Sequence, residues 1–93
     1  MIFEWNPAKA ERNLRKHGIS FTEAGTVFGD ELSITVPDPD HSDDEDRYIT
    51  IGWSHRGRLL MIAHTDRGEI IRIISARELT KTERKEYEKT NRT

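Results

Sequence analysis

The stretch Ile70-Ile71-Arg72-Ile73-Ile74-Ser75-Ala76-Arg77 decides the fold class and points to the chemistry. Its length and β-branched content are those of a strand buried on both faces. Apolar and small residues enclose Arg72, and Arg77 closes the run. A guanidinium cannot be neutralised by losing its proton, and leaving one unpaired in apolar surroundings is costly. Arg72 therefore needs a carboxylate, a cluster of carbonyls or a phosphate. The chain offers no metal motif, no phosphate loop and no cysteine. This arginine-bearing strand is the place to look for function.

Working outward, the 93 residues are expected to form one small domain, 1–93. Hydrophobic residues make up 33% and charged residues 34%, so the core is thin and a bound partner can add much of the working stability. Without cysteine there is no disulfide scaffold or thiolate metal site, which suits a cytoplasmic protein. Residues Met1 to Pro7 lack a basic segment followed by an apolar one, so no signal peptide is expected. No apolar run reaches membrane-spanning length. The net charge of -2 hides an asymmetry. Asp38 to Asp46 carries six acidic residues and no Lys or Arg; the remainder holds fifteen Lys and Arg against eleven Asp and Glu. That mildly basic body attracts a polyanion if its cations share a face.

Local signals give the element order. Asn6-Pro7 starts a helix that Gly18 ends. Ser20-Phe21-Thr22-Glu23 reads as a capping box for a short second helix that stops near Gly29. Leu32 to Val36 alternates as a half-buried strand, closed by Pro37 and Pro39, and the acidic segment follows as an exposed loop. Arg47 to Ser54, Arg58 to Thr65 and Glu69 to Arg77 are further strands, joined by turns at Ser54-His55-Arg56-Gly57 and Asp66-Arg67-Gly68. Thr80-Lys81-Thr82-Glu83 caps a last, mostly polar helix running toward Thr93. The expected fold is α+β: two N-terminal helices, a four-stranded antiparallel sheet and a C-terminal helix.

The candidate site residues follow from this frame. Lys9, Asn13 and Lys16 share one helical stripe, with Arg12 beside it; the stripe is either a solvated outer face or a border to the arginine-bearing sheet face. His17 is either a helix C-terminal residue or a proton carrier. Glu83 is either the capping partner of Thr80 or a reacting carboxylate. Strand alternation places Arg72 and Arg77 on opposite faces unless a bulge intervenes, and either could pair internally with Glu4, Glu23 or Glu83. No histidine has an i, i+4 histidine partner, so zinc is not expected. Counted from Asp38, the acidic loop has Asp43 and Ile49 where a calcium loop needs glycine and glutamate. Arginines, lysines and a tyrosine without metal are compatible with RNA cleavage by its own 2′-hydroxyl. That reaction needs cationic stabilisation of the pentacoordinate phosphate and help in moving two protons.

Phe3-Glu4-Trp5-Asn6-Pro7, followed by Lys9, Asn13 and Lys16-His17-Gly18-Ile19-Ser20-Phe21, resembles the opening of the BrnT toxins. So does Arg47-Tyr48 followed by Gly52. The closing stretch Arg72-Ile73-Ile74-Ser75-Ala76-Arg77, with Glu83-Arg84 and Tyr87, looks like that family's most distinctive motif. Asn6 stands where many members have aspartate, and both residues cap a helix.

The resemblance implies the toxin half of a type II toxin-antitoxin module. It implies a RelE-like, metal-independent ribonuclease without cofactor that cuts RNA and blocks translation. It further implies a cognate BrnA antitoxin with a ribbon-helix-helix domain, joined to the toxin in a hetero-oligomer that binds operator DNA. On this reading Arg72 and Arg77 bind phosphate and stabilise transition-state charge, with Arg67 assisting. Tyr87, Glu83 or His17 handle protons or stack a base. Lys9, Arg12, Lys16, Arg47 and Arg84 draw in the RNA backbone. The competing reading is a non-catalytic binding module that acts as a co-repressor through a protein partner.

Overall fold

The computed structural model describes residues 1–41 and 46–90. The centre of the acidic segment and the end of the last helix expected from sequence lie outside those residues. The elements are β1 (Ile2–Glu4), α1 (Pro7–His17), α2 (Phe21–Thr26), β2 (Ile34–Pro37), β3 (Arg47–Trp53), β4 (Leu59–Arg67), β5 (Ile70–Glu78) and α3 (Lys81–Thr90), with short 3-10 turns at Val27–Gly29 and Pro39–His41.

The strands form one sheet in the order β1-β5-β4-β3-β2. This corrects the expected layout, RelE-like or otherwise, of two N-terminal helices followed by four antiparallel strands. A short strand comes first, and it pairs parallel to β5 through Ile2–Ile70, Phe3–Ile71 and Glu4–Arg72. Three residues carry no alternation long enough to read, and the partner lies at the far end of the chain. The other four strands do form the antiparallel meander. The last hairpin turns at Gly68-Glu69, one step later than expected, so Asp66 and Arg67 belong to β4. Gly68 takes the positive φ that the tight turn requires.

The helices α1 and α2 cover one face of the sheet. Asn6 caps α1 by accepting from the Ala8 and Lys9 amides, and Gly18 ends it in the left-handed region at φ 70°. The core on this face joins Ile19, Phe21, Ala24 and Val27 to Leu60, Ile62, Ile73 and Ala76, with Phe3, Trp5, Ala10 and Phe28 packed around it. Gly52 is pinned by close approach: a Cβ there would lie 2.9 Å from the Ser33 Cβ and 3.0 Å from the Val27 Cγ1.

One side chain ties α1 to the sheet. β1 covers the outer edge of β5 only as far as Arg72. Beyond it, Asn13 acts as the missing strand. Its Oδ1 accepts from the Ala76 N–H at 3.1 Å, and its Nδ2 donates to the Ala76 carbonyl at 2.8 Å and the Ile19 carbonyl at 2.9 Å. Asn13 is 7% exposed, so water cannot replace these bonds. Asn13→Ala is expected to lower the unfolding free energy by about 2–3 kcal/mol, measured by urea denaturation, because it orphans buried backbone groups of Ile19 and Ala76.

Candidate functional site

The other face of the sheet carries the arginines. Register decides which. β5 holds one residue more than β4 across the middle of their ladder: Ala63 pairs with Ser75 and His64 with Ile73, so Ile74 has no opposite number. That bulge resets the alternation. Ile73 and Ala76 both enter the core, although three apart. Arg72 pairs with Thr65 and Arg77 with Met61, two residues of the same face of β4. Arg72 and Arg77 therefore share a face, as the simple alternation of the sequence does not allow. Arg67 lies on it as well, and so does Arg47, the partner of Thr65 on β3. One cross-strand row reads Arg47, Thr65, Arg72, Glu4; the row at its other end reads Ile34, Ile51, Met61, Arg77.

Helix α3 lies across the Arg77 end. Tyr87 is 7% exposed and its hydroxyl donates to the Leu32 carbonyl at 3.3 Å. A cavity of about 300 Å³ remains under the helix, between Ile34, Ile51, Met61 and Glu83, Glu86, Tyr87. Thr80 and Glu83 complete a reciprocal capping box: the Thr80 N–H donates to the Glu83 carboxylate at 2.8 Å, and the Glu83 N–H to the Thr80 hydroxyl at 3.2 Å. The same carboxylate takes both terminal nitrogens of Arg77, at 2.8 and 2.9 Å. Arg77 and the Thr80 amide hold the Glu83 carboxyl down to about 2, so it stays ionised and is a weak proton acceptor. Arg84 stacks over the Trp53 ring at 5.0 Å and pairs with Glu88.

Away from α3 the face opens. Val36, Ser75, Ile70 and Arg67 are exposed. Arg72 meets Glu4 through a single 3.4 Å contact, with both side chains about two-fifths exposed (40% and 43%). Arg47 donates through Nε to Asp38 at 3.2 Å. Arg67 makes no ion pair among the described residues, and neither do Lys9, Arg12 and Lys16. Asn13 sits on the edge of β5 at Ala76, and Lys9 and Lys16, one turn to either side of it on α1, are exposed. His17 is half-buried at the C-terminal end of α1. The structure thus gathers Arg47, Arg67, Arg72 and Arg77 on one face, while Lys9, Arg12 and Lys16 are exposed on α1, which packs on the other. Glu83, Tyr87 and Arg84 lie at the covered end of the arginine face.

Two polar networks on the helix side escaped the sequence reading. Glu23 does not close its expected capping box. Ser20 accepts from the Glu23 N–H, but the Glu23 carboxylate turns inward to the Ser54 hydroxyl at 2.7 Å and to Arg58, which grips both its oxygens. The Arg58 contact holds the Glu23 carboxyl below the usual range despite its burial. Second, Asp66, His64, Thr50 and Thr35 form a hydrogen-bonded chain with three links of 2.7 Å. His64 is 1% exposed and packs edge-on to Phe28. Burial pushes its imidazole below the ordinary value, against the opposing pull of Asp66. Neither network had a sequence signal, since both join residues from separate elements.

Among the described residues no helix is long and apolar enough to cross a membrane. A family model described as "Ribonuclease toxin, BrnT, of type II toxin-antitoxin system" matches residues 5–83. No curated protein matches the chain significantly. Among solved structures, the 1.1 Å crystal structure of the Brucella abortus ribonuclease toxin BrnT aligns with a TM-score of 0.68 at 20% identity, covering 87% of this chain and 100% of that one. At that identity the likeness is one of fold.

Three shifted groups bear on the acid stability: His64, Glu83 and Glu23, whose carboxyl adds to the acid-side loss in the same sense as that of Glu83. His64 is held neutral by the fold, so below the ordinary imidazole value of 6.5 the unfolded chain takes up a proton first and stability falls with pH. The contribution of Glu83 is complete above 4.5 and is lost as pH falls through about 2. The urea midpoint is expected to drop from about pH 7 to about pH 5, with a shallower slope in His64→Gln. An unchanged slope in that variant would contradict the assignment.

Proposed function

The chain belongs to the BrnT family, ribonuclease toxins of type II toxin-antitoxin systems, and from that premise we propose a mechanism and a site. The toxin cuts RNA without a metal ion. The RNA 2′-oxygen attacks the adjacent phosphorus, the bond to the 5′-oxygen breaks, and the products are a 2′,3′-cyclic phosphate and a 5′-hydroxyl end. Such a reaction asks the protein for charge stabilisation more than for a nucleophile. The observation that carries this reading is the bulge at Ile74, which turns Arg72 and Arg77 onto the face that also bears Arg67 and Arg47.

Within that face the roles divide by pairing. Arg72 and Arg67 are the working cations, because one has a single long contact and the other has no ion pair among the described residues. Their guanidinium groups bind the scissile phosphate and offset the charge that builds on it. Arg77, gripped by Glu83 at 2.8 Å, sets the end of the groove and keeps α3 in place. Lys9, Arg12 and Lys16, exposed on α1, draw in the flanking backbone. Tyr87 and Glu83 are tied into the packing of α3, which argues against a proton-carrying role. In the cytoplasm, cleavage halts translation. A BrnA-like antitoxin with a ribbon-helix-helix domain neutralises the toxin, and the pair binds operator DNA.

Purified protein incubated with RNA in EDTA is expected to leave 2′,3′-cyclic phosphate ends. Arg72→Ala is expected to cut the rate by about 100-fold and to relieve growth arrest at equal protein level. Intact RNA in the bound fraction would instead support the co-repressor module. Loss of cleavage in EDTA would overturn the metal-free mechanism.

A further inference from the structure

We propose that the Thr65 hydroxyl is a ligand for an RNA phosphate, which it shares with Arg47 and Arg72; the inference rests on the ribonuclease reading and adds a residue to it. Among the described residues, the Thr65 Oγ1 is the buried side-chain oxygen that has no hydrogen-bond partner. A buried hydroxyl without a partner destabilises the free protein, and valine would fill the same space without that cost. The neighbours name the kind of group that would complete it. Thr65 faces Arg47 on one side and Arg72 on the other, in direct register. The two arginines stand two strands apart, about 10 Å between their backbones. Their side chains can close over the threonine between them.

Both arginines keep donors in reserve. Arg47 spends its Nε on Asp38, and its terminal nitrogens make no hydrogen bond among the described residues. Arg72 touches Glu4 through one nitrogen at 3.4 Å. A group that takes two guanidinium donors and one hydroxyl donor must be an anion with several acceptor oxygens. A phosphodiester has two non-bridging oxygens and fits. The Oγ1 is closed to water in the free protein, so the hydroxyl meets the phosphate through a rotation about χ1 to another staggered position. Arg67 lies two residues along β4 on the same face and reaches the same phosphate from the hairpin side.

The test uses Thr65→Val, Thr65→Ser and the unaltered protein, with two probes: a 2′-O-methyl RNA oligonucleotide, which binds without being cut, and inorganic phosphate. Thr65→Val is expected to match or exceed the unaltered protein in urea stability while binding the oligonucleotide about tenfold more weakly. Thr65→Ser is expected to stay within about twofold in affinity, since it keeps the hydroxyl. A Thr65→Val protein that binds and cleaves as well as the original overturns the proposal and leaves the ribonuclease reading standing. Loss of stability in Thr65→Val also overturns it, because the hydroxyl then has an internal role. If the unaltered protein shifts its Thr65 amide resonance with inorganic phosphate but neither binds nor cuts RNA, the anion site stands and the ribonuclease reading fails. No shift with either probe removes the site.

Discussion

One extra residue in the last strand fixes the direction of Arg77 relative to Arg72. Without Ile74 as a bulge, Arg72 and Arg77 would stand on opposite sides of the sheet, and one of them would enter the apolar core beneath α1 and α2. A charged guanidinium in that core has no acceptor waiting for it. The bulge therefore serves packing and site together. It lets Ile73 and Ala76 fill the helix side, and it leaves the cations to the opposite side. Asn13 then holds the bulged strand from its edge at Ala76, where β1 no longer reaches.

The charges on the open side form a gradient. At one end Arg77 is neutralised by Glu83, which α3 presents through its own N-terminal cap. In the middle, Arg72 has one long contact, and Arg47 is steadied by Asp38 through one nitrogen. At the hairpin end Arg67 is exposed. An anion is drawn toward the end where fewest guanidinium groups are already matched. The helix side shows the opposite policy: Glu23 is fully engaged by Arg58 and Ser54 and ties α2 to the β3–β4 turn, which makes that pair structural.

Much of this was legible in the sequence because it is written locally. Asn6-Pro7 and Gly18 bound α1, Ser20 opens α2, and Thr80 with Glu83 opens α3, each by short-range hydrogen bonds. Alternation marked β2 and β3, and near-continuous apolar runs marked β4 and β5. What was hidden depends on partners distant in sequence. β1 is too short to carry a pattern, and its parallel partner begins at Ile70. A bulge leaves no trace in a run such as Ile73-Ile74-Ser75, where both alternations look apolar enough. Glu23 resembled a capping residue because its true partner, Arg58, comes 35 positions later. The chain of His64, Thr50 and Thr35 spans three strands.

The central claim is that a phosphodiester meets the guanidinium groups of the open sheet face. Arginine side-chain Nε–H resonances report this directly during titration with uncleavable RNA. The account predicts that the signals of Arg47, Arg67 and Arg72 move while that of Arg58, locked to Glu23 on the helix side, stays in place. Movement of Arg58 with those three unmoved would contradict it.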